Sequence, residues 1–322
     1  MSGNRALVDP ELLPLLDRLG PSALDEHLLP AARAERQAVP GAMDKLPVET
    51  FSRNIPGMPG DPDVRVLISR PEKASPGPLP AILHIHGGGF VMGTADRFLP
   101  LLRKWAHDLD CVVISVDYRL APETSFPGPL DDCYAALLWA VAEAGELNID
   151  VSRIGVAGES AGGGLAAGLA LLARQRSGPH LAFQNLQYPM LDDRTGPDSP
   201  RNPVTGDYVW TRDMNVFGWR SFLGVMPGVE GISPFAAPTR ATDLSGLPPA
   251  YIGVGTLDLF LDENMDYALR LIRAAVPVEI DVFPGAFHAF ELQPRAAITR
   301  RSMARRTDAL RRAMILRPGK DE

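Results

Sequence analysis

The chain has 322 residues, 45% of them hydrophobic, enough to bury one large core and within the range of a single α/β domain. Its 32 basic and 39 acidic side chains leave a net charge of −7, which argues against nucleic acid as the main partner. No run approaches the roughly 18 apolar residues of a membrane-spanning helix, and two cysteines define no metal site.

The opening Met1-Ser2-Gly3-Asn4-Arg5 lacks the apolar centre of a secretory signal, so a cytoplasmic protein is expected. Residues 1–45 are amphipathic at helical spacing and read as an N-terminal cap segment. Strand patterns follow at 48–54 and 64–70, joined by the turn-rich Pro56-Gly57-Met58-Pro59-Gly60-Asp61-Pro62 as an antiparallel hairpin. A third, at 80–86, runs straight into His86-Gly87-Gly88-Gly89-Phe90. Consecutive glycines let backbone N–H groups approach a substrate oxygen, so Gly88 and Gly89 are expected to hold an oxyanion. His86 reads as a brace for that loop, and His84 as structural.

A fourth strand is expected at 111–117 and a fifth at 153–158, the latter entering Gly158-Glu159-Ser160-Ala161-Gly162. Glycines on both sides of a serine suit a sharp strand-to-helix turn, where any Cβ would clash. An Ala/Leu-rich helical pattern from Gly163 to Arg176 completes the junction and places Ser160 at its apex. Ala161, opening the helix, has an unpaired N–H near the positive end of the dipole and is the third expected oxyanion donor. Cys111 and Cys133 read as buried free thiols.

After a sixth strand at 182–188, the segment 191–232 interrupts the alternation and reads as a cap insertion. It holds a Pro/Gly/Asp-rich stretch from Asp192 to Asp207 and then a helical run. Trp210, Met214 and Phe217 of that run, with Phe90, are the expected substrate-lining residues, and Trp219 and Phe222 the packing ones. A seventh strand at 250–256 precedes Asp258, just past its carboxyl end, where α/β sheets place functional residues. Asp262 is the competing acid, but a helix expected from Asp262 to Ala275 accounts for it by the dipole. An eighth strand, 278–283, leads to His288. His107 and His180 lie in charge-rich surroundings and read as surface residues. The Arg-rich end, Arg295 to Arg317, reads as a helix packing Ile298, Met303, Leu310 and Met314 on the sheet with its charges outward.

The order Ser160, Asp258, His288 is that of α/β hydrolases and differs from those of the chymotrypsin and subtilisin folds. Asp117-Tyr118-Arg119-Leu120-Ala121-Pro122-Glu123, Phe126-Pro127 and Asp131-Asp132-Cys133-Tyr134-Ala135-Ala136-Leu137 join the two glycine motifs in resembling the bacterial hormone-sensitive-lipase-like esterases (family IV), over roughly residues 45 to 315. The resemblance implies an α/β-hydrolase fold, with a mostly parallel eight-stranded sheet flanked by helices under a helical cap. It implies carboxylic-ester hydrolysis on small acyl esters, no cofactor, and a possible homodimer. By motif position it makes Ser160 the nucleophile, Asp258 the acid, His288 the base, and Gly88, Gly89 and Ala161 the oxyanion donors. Glu159 stands where that family often has Asp, and Ala289 where it usually has glycine. The expected division is core at 46–190 and 233–322, cap at 1–45 and 191–232. Two other readings share the scaffold: an amide or peptide hydrolase, which would use the same triad, and a noncatalytic ligand receptor, which would lack the catalytic histidine.

Overall fold

The computed structural model of the protein describes residues 3–20, 22–36, 45–196 and 202–315. Residues 37–44 of the expected N-terminal cap, 197–201 of the Pro/Gly/Asp-rich stretch, and the end of the Arg-rich segment lie outside them.

Eight strands form one sheet: β1 (Val48–Ile55), β2 (Val64–Pro71), β3 (Leu79–Ile85), β4 (Val112–Asp117), β5 (Ile149–Glu159), β6 (Gln184–Gln187), β7 (Ala250–Gly255) and β8 (Val278–Phe283). Their order is β1-β2-β4-β3-β5-β6-β7-β8. β2 is antiparallel to both β1 and β4, and every other pairing is parallel. The hairpin and the parallel run match the turn and alternation signals. β5 opens earlier than its apolar run, because Ile149 pairs with Leu79 across a register shift before the polar Asp150 to Arg153.

The helices are α1 (Leu13–Leu19), α2 (Leu29–Arg36), α3 (Leu99–Leu109), α4 (Gly128–Ala142), α5 (Ala144–Leu147), α6 (Ala161–Gln175), α7 (Arg212–Leu223), α8 (Leu261–Arg273) and α9 (Ala297–Ile315). Strands buried on both faces send successive side chains to opposite sides. Ile68, Leu83, Ile114 and Val156 join the core under α4, α6 and α8. Their neighbours Leu67, Ile82, Val113 and Ala157 join a second core under α3 and α9, with Leu102, Trp105, Leu310 and Met314. A third cluster packs Leu12, Leu15 and Leu16 of the N-terminal segment against Tyr188, Phe287 and Phe290, fastening that segment beside the loop after β8. Cys111 and Cys133 are buried free thiols. His107 and His180 are exposed.

Candidate active site

The carboxyl ends of β3, β5, β7 and β8 each deliver one part of the site. Ser160 fills the one-residue turn between β5 and α6, at φ 55° and ψ −121°, a conformation L residues rarely adopt. Only glycine permits this turn. A Cβ on Gly158 would strike the Gly162 carbonyl, and one on Gly162 the carbonyls of Ile85 and His86. The glycine loop passes directly over the turn, since a Cβ on Gly87 would meet the Glu159 carbonyl.

His288, on the loop after β8, has Nε2 2.9 Å from Ser160 Oγ and Nδ1 2.9 Å from Asp258 Oδ2. Asp258 is fully buried, and its other oxygen accepts the Phe260 N–H at 3.0 Å. Asp262 is exposed in the first turn of α8, where Asn202 donates to it at 3.1 Å. The imidazole is walled by Tyr188, Phe260 and Trp210, with ring centroids at 4.6, 5.2 and 6.3 Å. Ala289 takes φ 57°, the left-handed conformation that favours the glycine usual at this position in the family resembled.

Gly88 and Gly89 sit at φ 134° and 60°, and their N–H groups bond to no other described residue. Ala161, as the first residue of α6, has no carbonyl one turn back to bind. His86 braces the loop: its Nδ1–H donates to Gly87 O at 2.9 Å, and Tyr118 stacks on the ring at 4.3 Å while donating to the His86 carbonyl. Burial lowers the affinity of the His86 ring for a second proton, so it remains a neutral strut.

A cavity of about 490 Å³ opens over Ser160 and His288. Trp210 lines it, against Gly89, where a Cβ would collide with the indole. Three expected lining residues are elsewhere. Phe90 is fully buried, stacked on Phe222 at 4.1 Å and tilted on Trp219 at 5.1 Å, because the loop turns its side chain under the cap aromatics. Met214 and Phe217 occupy the face of α7 turned toward residues 22–27, where they line a separate cavity of about 600 Å³. Trp219 and Phe222 pack, as expected.

Arg306 and Glu291 line the cavity without having been singled out in the sequence, and the expected structural His84 lies behind them. His84 is buried between Ser115 Oγ at 2.8 Å and Glu159 Oε2 at 2.9 Å, and the other Glu159 oxygen pairs with Arg306 of α9 at 2.7 Å. Burial pushes the Glu159 carboxyl up, but His84 and Arg306 outweigh it and hold the group at about 2. Arg306 lies four residues from Ser302 and Leu310 on the stripe Ile298, Ser302, Arg306, Leu310, Met314, a spacing that marks a buried arginine in the sequence. Glu291 accepts from Tyr188 Oη at 2.9 Å and Gln187 Nε2 at 2.7 Å, and burial raises it to about 7. Among the described residues no group of three His, Cys, Asp or Glu side chains is placed to hold a metal, and no helix is long and apolar enough to cross a membrane.

A serine hydroxyl bonded to an imidazole that is in turn bonded to a buried carboxylate can attack a carbonyl carbon, and free backbone donors beside it can hold the resulting oxyanion. A family model for the alpha/beta hydrolase fold matches residues 82–292. Carboxylesterase NlhH of Mycobacterium tuberculosis is 36% identical over 292 residues, covering 88% of each chain. Esterase LipI of the same organism is 34% identical over 276 residues, covering 85% of this chain and 84% of its own. The solved structure of a bacterial heroin esterase superposes with a TM-score of 0.89 at 44% identity, covering 96% of this chain and 98% of that one. With these matches and the motifs they contain, the chain belongs to the hormone-sensitive-lipase-like family of α/β hydrolases.

Proposed function

We propose that the protein is a serine carboxylesterase working through Ser160, His288 and Asp258 on small acyl esters. One observation carries the assignment: the unbroken chain of hydrogen bonds from Ser160 Oγ through the His288 ring to a wholly buried Asp258. His288 takes the Ser160 proton as Oγ attacks the ester carbonyl, Asp258 orients and stabilises the imidazolium, and the N–H groups of Gly88, Gly89 and Ala161 hold the oxyanion. His288 then protonates the leaving alcohol. Water, deprotonated by the same histidine, releases the acid from the acyl-enzyme. The receptor reading loses ground to the placement of His288 against Ser160.

The cap in this reading comprises residues 1–45 and 191–232, set on core segments 46–190 and 233–322. Arg220 of α7 pairs with Glu26 at 2.6 Å, and the two segments jointly enclose the larger cavity. A homodimer is favoured by the exposed Met265, Leu269 and Ile272, one stripe of α8, and by the exposed Val282 on edge strand β8. A cytoplasmic location suits the two free thiols. The decisive experiment is fluorophosphonate labelling with peptide mapping. A single adduct at Ser160, with loss of p-nitrophenyl butyrate hydrolysis, is expected; full inactivation with Ser160 unmodified would overturn the assignment. Sedimentation velocity on the parent and on Leu269→Glu reports the assembly state.

A further inference from the structure

The cavity over Ser160 has an unbalanced inner wall. Arg306 is engaged by Glu159 at 2.7 Å, and Lys104 by Asp108 at 2.6 Å. Glu291, on the same wall, has only neutral partners, the Tyr188 hydroxyl and the Gln187 amide, and among the described residues no cation lies at ion-pair distance from it. Tyr188 links this carboxyl to the chemistry, its ring against the His288 imidazole and its hydroxyl on Glu291. Phe98, Tyr188 and Trp210 add aromatic rings to the lining. A carboxylate with no cation at contact distance, set among aromatic faces, is the chemistry that recognises ammonium groups.

We propose that Glu291 is the recognition point for a positively charged substrate arm, so that the favoured esters carry a protonated amine or quaternary ammonium in the part filling this cavity. This rests on the esterase reading above. The cavity volume, about 490 Å³, leaves room for such an arm beside the ester. The groups facing Glu291 are Tyr188 and Gln187 from the end of β6, Ser302 and Arg306 from α9, and His288 from its own loop; Arg97 and Lys104 also line the cavity. Without ligand, burial keeps the Glu291 carboxyl at about 7, against the pull of its own backbone N–H, Tyr188, Arg306 and His288. A cation then binds best above that pH, when the carboxyl is ionised.

The test compares two isosteric esters, acetylcholine and 3,3-dimethylbutyl acetate, which differ in a nitrogen cation against a neutral carbon. The readout is the ratio of their kcat/KM values, in which the shared demand on His288 cancels. The expected ratio favours the cation by roughly tenfold or more at pH 8.5, falls steadily as pH drops through 7 to 6, and collapses toward unity in Glu291→Gln. A ratio near or below unity, a ratio flat from pH 6 to 8.5, failure to use acetylcholine, or a preference surviving in Glu291→Gln would each overturn the proposal. The pH series needs only the wild-type protein, so a misfolded variant leaves the test intact. Hydrolysis of p-nitrophenyl butyrate in parallel separates the two ideas: its absence sinks the esterase reading, its presence with equal use of the isosteres sinks only the charge proposal.

Discussion

Asp258→Asn is the substitution whose outcome the geometry constrains most. Asp258 Oδ1 accepts the Phe260 N–H at 3.0 Å and Oδ2 faces His288 Nδ1 at 2.9 Å, with the Asp258 side chain fully buried. An asparagine that keeps its oxygen on Phe260 N–H must point its NH₂ at Nδ1. The ring proton then sits on Nε2, facing Ser160, and the ring cannot accept the serine proton. Flipping the amide restores the tautomer but opposes two N–H donors at Phe260, at a cost of about 1–3 kcal/mol for a buried unmade bond. Losing the charged bond to the imidazolium removes about 1.5–3 kcal/mol more. Together these predict a fall in kcat of roughly two to four powers of ten, in line with the roughly 10⁴ seen for the equivalent change in a serine protease. The assay is kcat and KM on p-nitrophenyl butyrate, with melting temperature as a folding control. Asp262→Asn, at an exposed position with one bond from Asn202, should stay within about twofold. A folded Asp258→Asn enzyme keeping more than a tenth of the parent kcat, or a larger loss in Asp262→Asn, would refute the assignment.

Three other perturbations have definite expected outcomes. Trp210→Ala should widen the acyl chain lengths accepted, by up to about 0.8 kcal/mol per added buried CH₂, whereas Met214→Ala and Phe217→Ala, lining the other cavity, should leave the profile of kcat/KM against chain length unshifted. Gly89→Ala should drive a methyl into the Trp210 ring and displace an oxyanion donor, lowering kcat roughly 10²–10³-fold with stopped-rate assays as the check. The Glu159 carboxyl, held at about 2 when folded, adds stability above its unfolded value of about 4.3 that is lost as pH falls toward 2, an effect of about 3 kcal/mol at most. Glu159→Gln should therefore be less stable at pH 7, where Arg306 loses its partner, and should show a shallower decline in urea denaturation between pH 5 and 2.5; equal slopes would exclude the ion pair as the source.

The catalytic half of this site is readable in the chain because it depends on backbone sterics. Glycines at 87–89, 158 and 162 are needed wherever strand, turn and loop touch, and such demands leave a local mark. Asp258 and His288 stand out by their position in the loops after two strand-like apolar runs. The substrate half depends on which way a side chain faces after the layers have packed. Phe90 adjoins the glycine loop in sequence yet points under Phe222, and Trp210, just ahead of α7, reaches the catalytic cavity while Met214 and Phe217 on α7 line the other one. Arg306 was lost among the many arginines of α9, although its four-residue spacing from Ser302 and Leu310 set it apart. Glu291 carried no local signal, because its character comes from Tyr188 and Gln187, about a hundred residues away in the chain.

The positive φ at Ser160, with that of Ala289 beside the histidine, bears on how this enzyme can change. Each non-glycine residue held there costs of order 1–3 kcal/mol, a large share of the margin by which a domain stays folded. Ser160→Gly should thus give an inactive protein at least as resistant to heat as its parent. A lineage drifting without selection for turnover would slide toward glycine at such positions, and one acquiring new specificities would first need surplus stability elsewhere, in α3, α4 or the hairpin of β1 and β2, to absorb substitutions around a turn that is already under strain.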